Sequence, residues 1–185
     1  MSENSTEDYD VVLLVEQALT RADAAQVHSL HEGLDGPVTY HVLLPLEDAA
    51  ARIESAMGSL TAGDMMASPT MPMSEVDLEA VRKDCEDRSN TELAQTLDAL
   101  RRSGAVVRGE IVTDPPIDAL AAKVSEVDGR EAIILTRPHV VAEFFHLDWT
   151  SKARRRLGVP LLHLLEHETF DEQAEGYGDE GITGL

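Results

Sequence analysis

Glu16, Gln17, Asp114, Thr136, Arg137, His139, Thr150 and Ser151 are the residues whose types and positions could do chemistry together. Arg137 follows an apolar run, and its guanidinium could grip a carboxylate or phosphate as a two-pronged fork. The plainer reading pairs Arg137 with Glu16 or Asp114 and simply closes the crevice. His139, Glu143 and His146 fall at i, i+4 and i+7, so one helix face could offer two imidazoles and a carboxylate to zinc or another divalent ion. That spacing recurs by chance, Pro138 obscures where the helix would begin, and a solvated or pocket-lining face accounts for the same residues; no metal is expected. A Ser–His–Asp set could be drawn from Ser151, His139 and Asp114, but no nucleophile elbow surrounds the serine. Cys85 sits mid-helix among charges and reads as a packed or idle thiol. His28 and His31 read as surface helix residues. His163 and His167 share a strand face but lie about 13 Å apart along an extended chain, too far for one metal.

These residues need elements to position them. Asp10–Glu16 is a short apolar run bounded by charges, as a strand buried on both faces should be. Ala18–Leu34 carries Leu19, Ala22, Ala25, Val27 and Leu30 at roughly helical spacing, with Gly33 and Gly36 at its exit. Val38–Leu46 is a second strand, stopped by Pro45 and the pair Glu47-Asp48. Ala49–Leu60 can make a helix, and residues 61–74 hold two prolines, a glycine and four methionines. That Met-rich loop can pack on its own core or serve as an adaptable lid or partner surface. A helix is expected from Ser74-Glu75 to about Arg102, with Val76, Leu78, Val81, Cys85, Leu93, Leu97 and Leu100 inward and a possible bend over the polar patch 86–91. Val106–Thr113 is a third strand. Asp114 is expected to cap the helix opened by Pro115-Pro116. Ala132–Leu135 is the fourth strand, Val141–Leu157 a helix, and Val159–Leu165 the fifth strand. Phe144, Phe145 and Trp149 read as core or dimer contacts, or as a lid over the crevice. Alternating strands and helices imply a parallel sheet with helices on both faces, and ligands in such sheets bind beyond the carboxyl ends of the strands where their order reverses.

With 185 residues the chain fits one domain with a full core. Residues 1–9 read as a disordered acidic start, 10–167 as the domain, and 168–185 as a flexible acidic tail. A lone cysteine, an acidic start unlike a signal peptide and no long apolar run suit a cytoplasmic protein with no membrane partner. The formal net charge of −20 argues against a nucleic-acid face. The basic cluster Lys152, Arg154, Arg155 and Arg156 is more readily paired with carboxylates.

The run Gly104–Leu165 resembles the C-terminal half of universal stress proteins. Thr113-Asp114-Pro115 stands where that family ends a strand in Gly-Asp-Pro, and Leu135-Thr136-Arg137 where it ends one in Gly-Ser/Thr-Arg-Gly. Val159-Pro160-Leu161-Leu162 stands for its final Pro-Val-Leu-Val-Val strand. Strand spacing extends the resemblance over roughly residues 10–167. It implies a three-layer α/β sandwich, Rossmann-like and akin to the adenine nucleotide alpha hydrolases, with five parallel strands in the order 3-2-1-4-5. It also implies a homodimer built on the last strand, Val159–Leu165.

The departures concern ligand binding. Nucleotide-binding members carry Gly-x-x-Gly, nine residues, then Gly-Ser/Thr. Here Pro138, Val141 and Thr150-Ser151 stand in that region without a glycine, and bulky side chains would keep backbone N–H groups from phosphates. Glu16-Gln17-Ala18 replaces an Asp-Gly-Ser-like turn, which puts a carboxylate where a triphosphate would lie. No cofactor is expected, and ATP is disfavoured. Two functions fit: a non-catalytic stress-response or regulatory module acting through dimerisation and protein contacts, with the loop 61–74 a possible partner surface, or a small-molecule binder or enzyme using the crevice, with Arg137 and His139 on an anionic, nucleotide-like ligand.

Overall fold

The computed structural model describes residues 9–46, 75–136 and 155–165. Arg137, His139, Glu143, His146, Thr150 and Ser151, the aromatic cluster, the Met-rich loop, the Ala49–Leu60 helix and both termini lie outside the described residues. The elements are β1 (Tyr9–Val15), α1 (Arg21–Ser29), β2 (Val38–Pro45), α2 (Glu75–Arg102), β3 (Val106–Val112), α3 (Pro116–Glu126), β4 (Glu131–Thr136) and β5 (Leu161–Leu165). Residues 155–157 form a helical turn ahead of β5. All pairings are parallel, in the order β3-β2-β1-β4-β5. The expected fold class is therefore the observed one.

Alternation along β1 builds two cores. Val11, Leu13 and Val15 pack with Ala24 and Val27 of α1 and Ala99 and Leu100 of α2. Val12 and Leu14 face the other way, into Leu120 and Val124 of α3, with Leu157 and Leu161. Pro45 is tolerated in an inner strand because pairing of β2 with β1 ends at Leu43, while Pro45 itself is matched to Val112 of β3. Gly109 of β3 is required by close approach: a Cβ there would stand 2.8 Å from a Leu97 methyl and 2.9 Å from one of Leu93.

Several boundaries and environments differ from those expected. α1 begins at Arg21, not Ala18, because Thr20 caps it in a reciprocal box with Asp23, and the preceding Leu19 N–H donates to Thr96 Oγ1 of α2 at 3.1 Å. α1 also stops well short of Leu34, where the His31 ring takes up the Val27 carbonyl at 3.2 Å. α2 runs through 86–91 as one helix: Asn90 and Thr91 side chains donate back to the carbonyls of Glu86 and Asp87, both at 2.8 Å. Leu78 is exposed, whereas Cys85 and Ser89 are buried on this helix. Asp114 does not cap α3; Pro115 is the N-cap and makes no side-chain cap bond. β5 starts at Leu161 rather than Val159, since Pro160 has no N–H to give and enters the pairing only through its carbonyl, which accepts from Ala132 at 2.9 Å.

His31 is the largest surprise. It is buried, not a surface residue, and it joins four elements at the amino end of the sheet. Its Nε2 lies 2.6 Å from Glu131 Oε1 and its Nδ1 2.7 Å from the Tyr40 hydroxyl. Tyr9 donates to the other Glu131 oxygen at 3.2 Å. Burial first, and the Glu131 charge second, push both phenols above their ordinary range. Replacing Glu131 by Ala would leave the imidazole and the Tyr9 hydroxyl without their acceptor. That variant is expected to lose about 2 kcal/mol of unfolding free energy in a urea melt. Glu126→Ala, an exposed residue on α3, should stay within about 0.5 kcal/mol of the parent.

Candidate functional site

The order of the sheet reverses at β1: the chain leaves it toward β2 on one side, and β4 returns on the other. The crevice beyond the carboxyl ends of β1 and β4 is thus the place where this architecture receives ligands. Glu16 stands at its mouth, half-buried, with its N–H donating to Leu135 O at 3.3 Å. Gln17 follows it and Thr136 ends β4 beside it, so these three expected residues are brought together. Asp114 is not. It is exposed past the end of β3, separated from β4 by β2 and β1, about 14 Å away at ordinary strand spacing.

His163 completes the described part of the crevice and was not among the expected site residues. Its Nε2 lies 2.8 Å from Thr136 Oγ1. The register explains the contact: His163 is matched to Ile134, so it shares a face with Thr136 two residues further along β4. Burial lowers the His163 pKa, which keeps the ring neutral at neutral pH. A hydroxyl that could have met a ligand is already engaged by this imidazole. The signal for the pair was the parallel register, which requires knowing that β4 and β5 are neighbours.

A second concavity, of about 190 Å³, lies beside β2 and β3 and is lined by His41, Arg108, Glu110, Lys123 and Glu126. Its charges are largely matched to one another. Lys123 Nζ sits 2.6 Å from Glu110 and 2.7 Å from Glu126, contacts that raise its pKa. His41 Nε2 sits 2.6 Å from Asp10. Among the described residues no group of three or more His, Cys, Asp or Glu could hold a metal ion, and no helix is long and apolar enough to cross a membrane.

No protein-family model matches the sequence, and no curated protein matches it significantly. Solved structures do. A hypothetical protein, PH0823, aligns with a TM-score of 0.51 at 16% identity, over 85% of this chain and 97% of its own. A universal stress protein from Archaeoglobus fulgidus aligns at 0.48 and 14% identity, over 84% and 92%. A universal stress protein family protein from Arabidopsis thaliana with AMP bound aligns at 0.49 and 11%, over 92% and 97%. Five parallel strands in the order β3-β2-β1-β4-β5, with helices on both faces, decide the architecture. The fold is a five-stranded parallel α/β sandwich, similar to that of PH0823. At these identities the likeness is one of fold.

The half-buried His163 has a consequence for acid stability. Its folded pKa lies below the unfolded value of about 6.5. Its contribution is therefore present above that value and is lost as pH falls through the folded pKa. His163→Gln is expected to show a shallower loss of stability than the parent between about pH 7 and pH 5, measured by denaturant melts at each pH. Parallel curves would show that His163 is protonated alike in both states.

Proposed function

We propose that this protein is a divergent universal stress protein whose crevice no longer binds nucleotide in the family manner, and that it acts without catalysis, as a stress-response or regulatory module working through dimerisation and protein contacts. The observation that supports this most is the chemistry at the ends of the strands. Glu16, Gln17, Leu46, Thr113 and Asp114 follow β1, β2 and β3, and none is cationic. The Thr136 hydroxyl is already engaged with His163. The segment from Arg137 to Ser151 contains no glycine that would let backbone N–H groups close on a phosphate. A half-buried carboxylate at the mouth, Glu16, places negative charge where a polyphosphate would lie. Among the described residues the sheet has two edge strands, β3 and β5, on which contacts with another chain can be built.

The test is calorimetric titration with ATP and AMP, with and without magnesium, beside analysis of nucleotide released from heat-denatured protein. The expected outcome is no saturable heat up to about 1 mM nucleotide and no released nucleotide. Saturable binding that disappears in Arg137→Ala would make the crevice an anion site and overturn the reading.

A further inference from the structure

We infer that β3 is a self-complementary edge, and that two copies of this chain pair antiparallel along it about a two-fold axis through Gly109. Among the described residues β3 pairs with β2 alone. Its main-chain groups can be sorted. Leu46 N–H donates to Val112 O at 2.8 Å, so the Val112 main chain faces β2. Alternation along a strand then turns Arg108 and Glu110 main-chain groups toward β2 as well, and turns those of Val107, Gly109 and Ile111 toward the open edge.

The side chains sort with them. Gly109 faces α2, where a Cβ would meet Leu97 and Leu93. Arg108 and Glu110 lie on the other face, beside Lys123 of α3. A two-fold normal to the sheet keeps each face on its own side. It sets Gly109 opposite Gly109 of the second copy and Val107 opposite Ile111, each a pair that exchanges both N–H···O bonds. On the opposite face it sets Arg108 against Glu110 of the second copy, and Glu110 against Arg108, with Val106 and Val112 flanking them. Charge therefore meets opposite charge on both sides of the axis, and apolar meets apolar beyond.

A parallel pairing of these two edges needs a two-fold along the strands, which turns one sheet over and leaves Arg108 and Glu110 of the two copies on opposite faces. A slip of one residue in the antiparallel pair would set charges against Gly109. β3 is also the more open edge: Val106, Arg108, Gly109 and Glu110 are exposed, whereas the residues of β5 are buried or half-buried. Among the described residues Val106 is the most exposed of the large apolar ones, at 54%. This inference rests on the reading of the protein as one that works through dimerisation, but nucleotide titration and self-association fail independently of each other.

The test uses the full-length chain, with Arg108→Glu and Glu110→Arg made separately. Each variant alone would face like charges across the axis, whereas a mixed pair would place an all-acidic edge on an all-basic one. Sedimentation velocity over a concentration series is expected to show a wild-type dimer, each variant weakened about tenfold or more, and association restored on mixing the two. Hydrogen exchange on the wild type gives a second reading that needs no variant: the amides of Val107, Gly109 and Ile111 should gain protection as concentration rises. A monomeric wild type, variants that dimerise like the parent, as they would through β5, a mixture that stays apart, or edge amides indifferent to concentration would each overturn the inference.

Discussion

Because β1 lies at the centre of the sheet with a helical layer on each face, every side chain from Val11 to Val15 is withdrawn from water, and the polar groups at its two ends must be satisfied by other elements. At its amino end Tyr9 donates to Glu131, and Asp10 meets His41 through its carboxylate and Arg130 N–H through its carbonyl. At the carboxyl end Glu16 N–H goes to Leu135 O. Each of these bonds ties β1 to β2 or to the β4 region. The strand with no wet face thereby fixes the register of both its neighbours, and the order of the sheet follows from it.

The polar network at the amino end of the sheet and the crevice at the carboxyl end have different characters. At the amino end, Tyr9, His31, Tyr40 and Glu131 satisfy one another across elements far apart in sequence, and their removal from water is what shifts the two phenols. Such a network holds the base of the sheet to one arrangement. At the carboxyl end the described groups are a carboxylate, an amide and a Thr–His pair, with no concentration of positive charge. The base of the sheet is thus closed by polar groups matched to one another, whereas the described part of the mouth carries only these few groups.

The strands were legible from sequence because a buried parallel strand needs a continuous β-branched and Leu run, and Val11–Val15, Val42–Leu44 and Ala132–Leu135 have one. Strand order came from the resemblance and agrees with what is observed. The pairing of Thr136 with His163 and the burial of His31 were not legible. Each depends on a contact with a residue far along the chain, 27 positions away in the first case and 100 in the second. A histidine just past a short helix looks like a surface residue until Glu131 is known to stand beneath it. Asp114 failed as a crevice residue for a topological reason: it follows the edge strand, and local motif order does not carry that distance. The residues from Arg137 to Ser151, on which most of the candidate chemistry was drawn, lie outside the described residues.

Cys85, the only cysteine, is 1% exposed on α2, a helix about 42 Å long by its residue count. A thiol reacts as thiolate and only where reagent can reach it, so alkylation of this protein is gated by whatever motion uncovers that one turn of helix. The chain thus carries a single, native chemical clock for the opening of the longest of its described helices. Its rate can be read by mass alone, with no label introduced and no residue changed.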